Sequence, residues 1–466
     1  MKIRFLGANR QVTGSKHLLD VGDARILVDC GMYQEREFTD RNWEDSPVDV
    51  RSIDAILLTH AHNDHCGMLP RLVNQGLKAP IYATQATAEL TEIILEDSAR
   101  IQEEDAEYKR KRHRKEGRKV KHPVVPLFTP ADVRKTLPLL QPVPYNREIA
   151  INKRVRVTFH EAGHILGSSV VEINGSANGE TRRLLFSGDL GQRDKPILRD
   201  PAVFSEADYV IMESTYGDRN HNGSVDVEGR LAQIICETVE AGGNVVIPVF
   251  AVERAQELLY HLGRLIGDGR IPQVDVVLNS PMASEVTKVF ERHRECYDEE
   301  AWAMIHSGTS PLRFPGMRLV QSVDESKALH KKKRPSIIMA TSGMCTAGRI
   351  KHHLKHNISR RESTILFVGY QANGTLGRRI LDGDPEVRIL GSTYAVKARI
   401  ERIEGFSGHA DRNGLLQWLG ALKQPPRHLF LVHGEEKGAL NLAETIRAEW
   451  GWDVSVPNYQ DRVTLD

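Results

Sequence analysis

Thr59-His60-Ala61-His62-Asn63-Asp64-His65 packs three imidazoles and one carboxylate into six residues, directly after the apolar run Ala55-Ile56-Leu57-Leu58. A strand that ends in a loop lets His60 and His62 point toward one metal ion, while Asp64 and His65, past the turn, face a second. Imidazole nitrogen together with carboxylate oxygen suits zinc and leaves manganese or iron open on ligand type alone. The motif therefore asks for a fold in which a buried strand delivers its carboxyl end to a site that other segments complete.

Further polar residues sit just past strand-like runs. Asp29 ends the third such run before Cys30-Gly31, His164 lies in Glu161-Ala162-Gly163-His164-Ile165-Leu166-Gly167-Ser168, and Asp189 follows Phe186-Ser187-Gly188. Singly, a Gly-Asp pair reads as a turn and a lone histidine as a satisfied structural residue. Residues 1–30 alternate short β-branched runs with glycine turns, a hairpin-rich start. From residue 55, apolar runs at 55–58, 81–83, 155–159, 184–187 and 209–212 alternate with polar loops and helical patterns, which predicts α/β layering. A different rhythm fills about 220 to 394, where runs at 245–249, 274–278, 337–340 and 364–368 each precede a Gly- or Ser-containing loop, as in a separate parallel α/β unit. Beyond it, runs at 398–404 and 429–432 again end at histidines, His409 and His433. The tail repeats the habit of the start, so the middle domain reads as an insertion.

Composition removes several function classes. With 466 residues there is room for two or three domains, and a net charge of +1 means that any nucleic-acid surface must be local. Five cysteines at 30, 66, 236, 296 and 345 form no Cys-x-x-Cys pair, which fits reduced thiols in the cytoplasm. The N-terminus reads as a first strand instead of a signal peptide, and the apolar run 244–252 is too short to span a bilayer. Residues 109–121 carry nine Lys or Arg against one Glu after an acidic helical stretch. Two readings stay open there: a helix end whose basic residues complement the dipole, or a phosphate-binding arm.

The order His-x-His-x-Asp-His, then a distant His, a distant Asp and a last His resembles the ligand order of the metallo-β-lactamase superfamily. In that resemblance His60, His62 and His164 hold one zinc, Asp64, His65 and His433 hold the other, Asp189 bridges, and Asp29 orients the histidine loop from behind. Glu213 in Met212-Glu213-Ser214-Thr215-Tyr216-Gly217, His409 in Phe406-Ser407-Gly408-His409-Ala410-Asp411 and His433 in Leu431-Val432-His433-Gly434 look like the three motifs of the β-CASP nucleases. The resemblance covers nearly the whole chain, including Ser342-Gly343-Met344-Cys345-Thr346-Ala347-Gly348-Arg349 and Gly369-Tyr370-Gln371-Ala372-Asn373-Gly374-Thr375-Leu376-Gly377. It departs at Ala347, where the family loop usually carries glycine. With its first strand at the start of the sequence, the chain is expected to resemble the shorter form of the family, without an RNA-binding domain of the KH type.

The resemblance implies a metallo-β-lactamase αββα sandwich (residues 1–215 and 395–466) with an inserted β-CASP α/β domain (216–394). It implies two zinc ions per chain, an RNA substrate and hydrolysis to a 5′-phosphate and a 3′-hydroxyl. The cut is expected to be internal, with 5′ to 3′ trimming as a second mode. Asp64, Glu213 and His409 are the implied catalytic residues, His409 as the acid for the leaving oxygen and Glu213 as its partner. A histidine at position 433 favours RNA, because DNA-processing members carry valine there. Ser342, Arg349 and Arg378 are candidates for holding phosphate. The expected setting is cytoplasmic, with a homodimer as family precedent and neither membrane nor nucleotide cofactor. Alternatives are a DNA-processing relative, a thioesterase-like hydrolase sharing the zinc loop, and a non-catalytic RNA-binding subunit.

Overall fold

A computed structural model describes residues 1–117, 124–177, 179–221, 226–332 and 334–466. The chain divides into two compact units, one made of Met1–Arg193, Asp200–Asn220 and His409–Asp466, the other of Asp194–Arg199 and His221–Gly408.

In the first unit, period-two alternation builds two sheets facing each other. Ile3, Phe5, Leu19, Val21, Ile26, Val28 and Leu57 point inward from one sheet, and Val155, Val157, Phe159, Val171, Ile173, Leu184, Phe186, Ile211 and Phe430 from the other. The first sheet has seven strands in the spatial order Arg462–Thr464, Lys2–Gly7, Lys16–Val21, Ala24–Val28, Ala55–Leu57, Ile81–Thr84, Leu140–Val143. The second runs Val454–Ser455, His428–Val432, Tyr209–Glu213, Glu180–Phe186, Ser169–Ala177, Val155–Glu161, Ile149–Ala150. Helices close both outer faces. Gln85–Glu116 lies against Ile81–Thr84 and Leu140–Val143, and Arg412–Leu419 and Glu436–Trp450 bury Leu415, Trp418, Leu442 and Ile446 over Leu185, Val210 and Leu431. This is the expected αββα sandwich.

In the second unit every strand of a six-stranded sheet is parallel, in the order Met317–Leu319, Asp275–Leu278, Ser336–Ala340, Val245–Pro248, Thr364–Phe367, Arg399–Arg402. The four runs seen in the sequence at 245–249, 274–278, 337–340 and 364–368 are its inner strands, each buried on both faces as parallel strands are. The run at 398–404 supplies Arg399–Arg402, which pairs with Thr364–Phe367 before the chain re-enters the first unit. In the loop 342–349 the left-handed positions are Cys345 and Gly348, at φ 59° and 74°, so Ala347 stands where glycine is not needed.

The basic segment forms the last turns of the 32-residue helix Gln85–Glu116, with Lys111 on Glu107 at 2.6 Å and Arg112 on Glu116 at 2.8 Å. Both are i,i+4 pairs, and left-handed Gly117 caps the end, as a solvated helix terminus requires. Residues 118–121 of that segment lie outside the described residues. Among the described residues, no helix is long and apolar enough to cross a membrane.

Candidate metal centre

Every histidine and aspartate of the sequence motif group sits just past the carboxyl end of a strand of the sandwich. Asp29 follows Ala24–Val28, the His60 to His65 loop follows Ala55–Leu57, His164 follows Val155–Glu161, Asp189 follows Glu180–Phe186, and His433 follows His428–Val432. Because the two sheets meet face to face, these ends converge on one edge.

The histidine loop is held by main-chain contacts. Ser15 N donates to Asp64 O at 2.8 Å and Cys30 N to His65 O at 2.7 Å. The backbones are so close that a Cβ at Gly31 would fall 1.6 Å from Asp64 O, which excludes any other residue there. Asp29, left-handed at φ 59°, accepts from Thr59 N at 2.8 Å and Thr59 Oγ1 at 2.9 Å. Its Oδ2 lies 2.7 Å from His65 Nδ1. That contact holds a proton on Nδ1, so Nε2 is the inward-facing nitrogen that either takes a second proton or is free to bind a cation.

Two donor sets result. In the first, His60 Nε2 and His62 Nδ1 are 3.1 Å apart, His62 Nδ1 and His164 Nε2 3.2 Å, and Asp189 Oδ2 stands 3.5 Å from His60 Nε2 and 3.4 Å from His164 Nε2. Tetrahedral zinc with bonds near 2.0–2.1 Å separates its ligand atoms by about 3.3 Å. Four of the six donor–donor edges, at 3.1–3.5 Å, match that spacing, and all four donor atoms lie within 4.8 Å of one another, so the set can close on one ion with small adjustment. In the second set, His65 Nε2 lies 3.1 Å from His433 Nε2, Asp64 Oδ2 lies 3.5 Å from His433 Nε2, and Asp189 Oδ1 lies 3.3 Å from His65 Nε2. Asp189 thus turns one oxygen to each set. Its Oδ1 is buried yet accepts no hydrogen bond, an orphaned anionic atom that a cation would satisfy.

Charge supports the same fit. Burial takes His60 well below the imidazole range and His62 down to about 4, leaving neutral rings with free lone pairs. Burial works against ionised Asp64 and Asp189, but the surrounding imidazoles outweigh it and hold both carboxyls well below their usual range. Burial also works against charge on His65 and His433, and here Asp189 leads the carboxylates that raise both. The cluster takes up positive charge in either form, as protons or as metal.

A third group adjoins the first. Fully buried Glu213 presents Oε2 3.0 Å and Oε1 3.2 Å from His409 Nδ1, while His409 Nε2 lies 3.8 Å from Asp189 Oδ2. Glu213 is itself oriented by Leu190 N, which donates to its Oε1 at 2.6 Å. Burial lowers the His409 imidazole, but Glu213 and Asp189 overcome this and bring it up to about 9.

Sequence reasoning missed two residues. Thr59 bridges Asp29 to the loop and lies 3.2 Å from His60 Nδ1, and Thr215 Oγ1 lies 3.2 Å from His433 Nδ1. Thr59 opens the motif and Thr215 sits two residues after Glu213, so adjacency to ligands is the signal that could have found them. The three phosphate candidates lie in the second unit. Ser342 Oγ accepts from Thr346 N at 3.1 Å and braces its own loop, whereas Arg349 donates to Asn279 Oδ1 at 2.8 Å and Val320 O at 3.1 Å and ties the loop to the ends of two neighbouring strands. Arg378 pairs with Asp382 at 2.8 Å and remains partly open to solvent.

Three family descriptions match this chain: a metallo-beta-lactamase superfamily domain over residues 18–210, a Beta-Casp domain over 255–380, and a Zn-dependent metallo-hydrolase RNA specificity domain over 393–457. The chain is 40% identical over 465 residues to ribonuclease TTHA0252 of Thermus thermophilus, covering all of both chains. It is 33% identical over 477 residues to transcription termination factor FttA of Methanocaldococcus jannaschii, covering 100% of this chain and 72% of that one. A crystal structure of a protein of unknown function from Enterococcus faecalis shares the fold at a TM-score of 0.54 and 14% identity, covering 99% of each chain.

Proposed function

From its membership of the β-CASP family of metallo-β-lactamase-fold hydrolases, we propose that the protein is a two-zinc ribonuclease that cuts RNA phosphodiester bonds internally, leaving a 5′-phosphate and a 3′-hydroxyl. The observation that carries this reading is the pair of donor sets meeting at Asp189, with the Glu213–His409 pair beside them.

His60, His62 and His164 would hold one ion, Asp64, His65 and His433 the other, with Asp189 between. When bound, such a pair supplies a hydroxide-like nucleophile at neutral pH and positive charge against the phosphate oxygens. The chain's own residues do the remainder. Asp29 and Thr59 keep the lone pair of His65 aimed inward, and Thr215 steadies His433. Asp64, facing the second set, directs the attacking oxygen toward phosphorus. As that oxygen bonds to phosphorus and the bond to the 3′ oxygen breaks, His409 gives its Nε2 proton to the departing oxygen. Glu213, fully buried on the other side of the ring, keeps His409 protonated and fixes its orientation. Arg378 is the candidate phosphate contact with solvent access; Ser342 and Arg349 shape the loop beside it.

RNA as substrate is supported by the ribonuclease relative and by the RNA specificity match. A functional division at 215/216 and 394/395 is supported by the family matches, which stop at 210, occupy 255–380 and resume at 393. Family precedent makes a homodimer the expected assembly, which light scattering would check.

Digestion of one RNA labelled at either end, with and without a 5′-monophosphate, tests the activity. Internal fragments independent of the 5′ group are expected, together with about two zinc ions per chain by elemental analysis. Mononucleotides released from the 5′ end would assign the exonuclease mode instead, and an active but metal-free protein would overturn the mechanism.

A further inference from the structure

In the second unit most apolar side chains are consumed by the sheet and its helices; among the described residues Phe250, Val323, Tyr370 and Leu390 are exposed, and two of these are aromatic. Phe250 is 40% exposed and Tyr370 58% exposed. Neither is placed at random. Ser336–Ala340, Val245–Pro248 and Thr364–Phe367 are adjacent parallel strands, with Val245–Pro248 in the middle. Phe250 follows the middle strand, Gly343 follows one neighbour, and Gly369 and Tyr370 follow the other. Loops at the carboxyl ends of parallel strands are where α/β sheets bind ligands.

The seat of Phe250 is made of backbone. A Cβ on Gly343 would meet its ring at 2.7 Å, and one on Gly369 would lie 3.4 Å from it, so the ring rests on two residues without side chains. Buried Gln371 fixes that seat by donating from Nε2 to Gly343 O at 2.9 Å and to Gly369 O at 3.3 Å. The ring is supported beneath and open above. Arg378 directly follows Gly377, whose Cα packs so tightly on Gln371 that a Cβ there would fall 1.8 Å from Oε1, so a partly exposed cation stands next to the residue that fixes the seat.

A rigid, solvent-open aromatic face beside a guanidinium matches one ligand chemistry well: an unpaired base stacked on the ring with its phosphate near the cation. We propose that Phe250, seated on Gly343 and Gly369 and flanked by Tyr370 and Arg378, is a stacking subsite for an unpaired base of the RNA substrate. This rests on the ribonuclease reading given above. Stacking is tolerant of sequence, so the subsite adds affinity for single strands without selecting bases.

The test is binding by the full chain carrying Asp64→Asn, which leaves the RNA uncut, to fluorescein-labelled oligoadenylate and to an abasic strand of equal length. Phe250→Ala and Phe250→Leu are each expected to lose about tenfold in affinity for oligoadenylate and nothing for the abasic strand. Leucine keeps the contact with the glycine seat, so a loss there does not reflect misfolding. Phe250→Trp should retain affinity and show fluorescence quenching on adding oligoadenylate. Unchanged affinity in Phe250→Leu, or an equal loss on both strands, overturns the subsite; the first would leave the aromatic face to a protein partner. Cleavage by the unsubstituted protein is scored separately, so failure of the ribonuclease reading is distinguishable from failure of the subsite.

Discussion

Glu253 occupies φ 64° and ψ −57°, a conformation that side-chain-bearing residues rarely adopt, and Arg254 N donates to Val252 O across it at 2.8 Å. This tight γ-turn, immediately after the Phe250 loop, launches the helix Arg254–Gly267. Strain of this kind costs roughly 1–3 kcal/mol, and glycine returns part of that gain through the entropy of the unfolded chain. Glu253→Gly and Glu253→Ala both remove a buried, partnered carboxylate, so strain relief is read from their difference: the glycine variant is expected to be about 1 kcal/mol more stable than the alanine variant, as a higher urea midpoint with unchanged slope. At the metal site the informative single change is His409→Ala. On the proton-donor role proposed above, its loss should lower the cleavage rate by about 10²- to 10⁴-fold while RNA affinity holds. A parallel loss of affinity would make the Glu213–His409 contact a structural ion pair.

At the scale of elements, the strand Ser169–Ala177 carries Glu172 on its outer face between two neighbours. Glu172 Oε2 lies 3.0 Å from His160 Nε2, on Val155–Glu161, and accepts from Arg183, on Glu180–Phe186, at 3.1 Å. One carboxylate thus ties three strands. Burial opposes its charge, but His160 and Arg183 prevail and bring it down to about 2. A depressed carboxyl stabilises the fold above its unfolded value near 4.5, and that stability is lost as pH falls through about 2. Glu172→Gln should cost about 1–2 kcal/mol at neutral pH and flatten the acid limb of a stability profile between those values. The strands themselves are legible in the sequence because apolar alternation or a short apolar run is their physical requirement. Ligand convergence is legible because the donors directly follow those runs. Thr59 and Thr215 are not, since a threonine hydroxyl signals nothing until its partners from distant segments are in place. Nor does the run 398–404 encode which sheet it joins; that depends on the free edge left by Thr364–Phe367. Phe250 is equally silent, because only the two glycines beneath it turn an apolar loop residue outward.

For the molecule as a whole, metal and protons compete for one set of side chains. Without metal, His65, His433 and His409 are raised, so their contribution is present below the ordinary imidazole value near 6.5 and, for His409, is lost as pH rises through about 9. With metal the sign reverses, because the donor atoms must be free of protons and affinity grows with pH. Thermal melts of chelated and zinc-loaded protein from pH 6 to 9 should therefore diverge, the chelated midpoint falling and the gap widening; parallel curves would count against the assigned donor set. Chelation should also abolish cleavage, and added zinc should restore it.

The donors are drawn from positions as early as His60 and as late as His433, with the whole second unit synthesised in between. At roughly 5–20 residues per second, a ribosome spends tens of seconds making the stretch from one to the other. Throughout that interval the emerging polypeptide lies beside messenger RNA, the very polymer it is proposed to cut, and lacks the last histidines of its centre. Until His409 and His433 have both been made, the nascent chain lacks part of the proposed donor set, so on the reading proposed above cleavage begins only after the second unit has been synthesised.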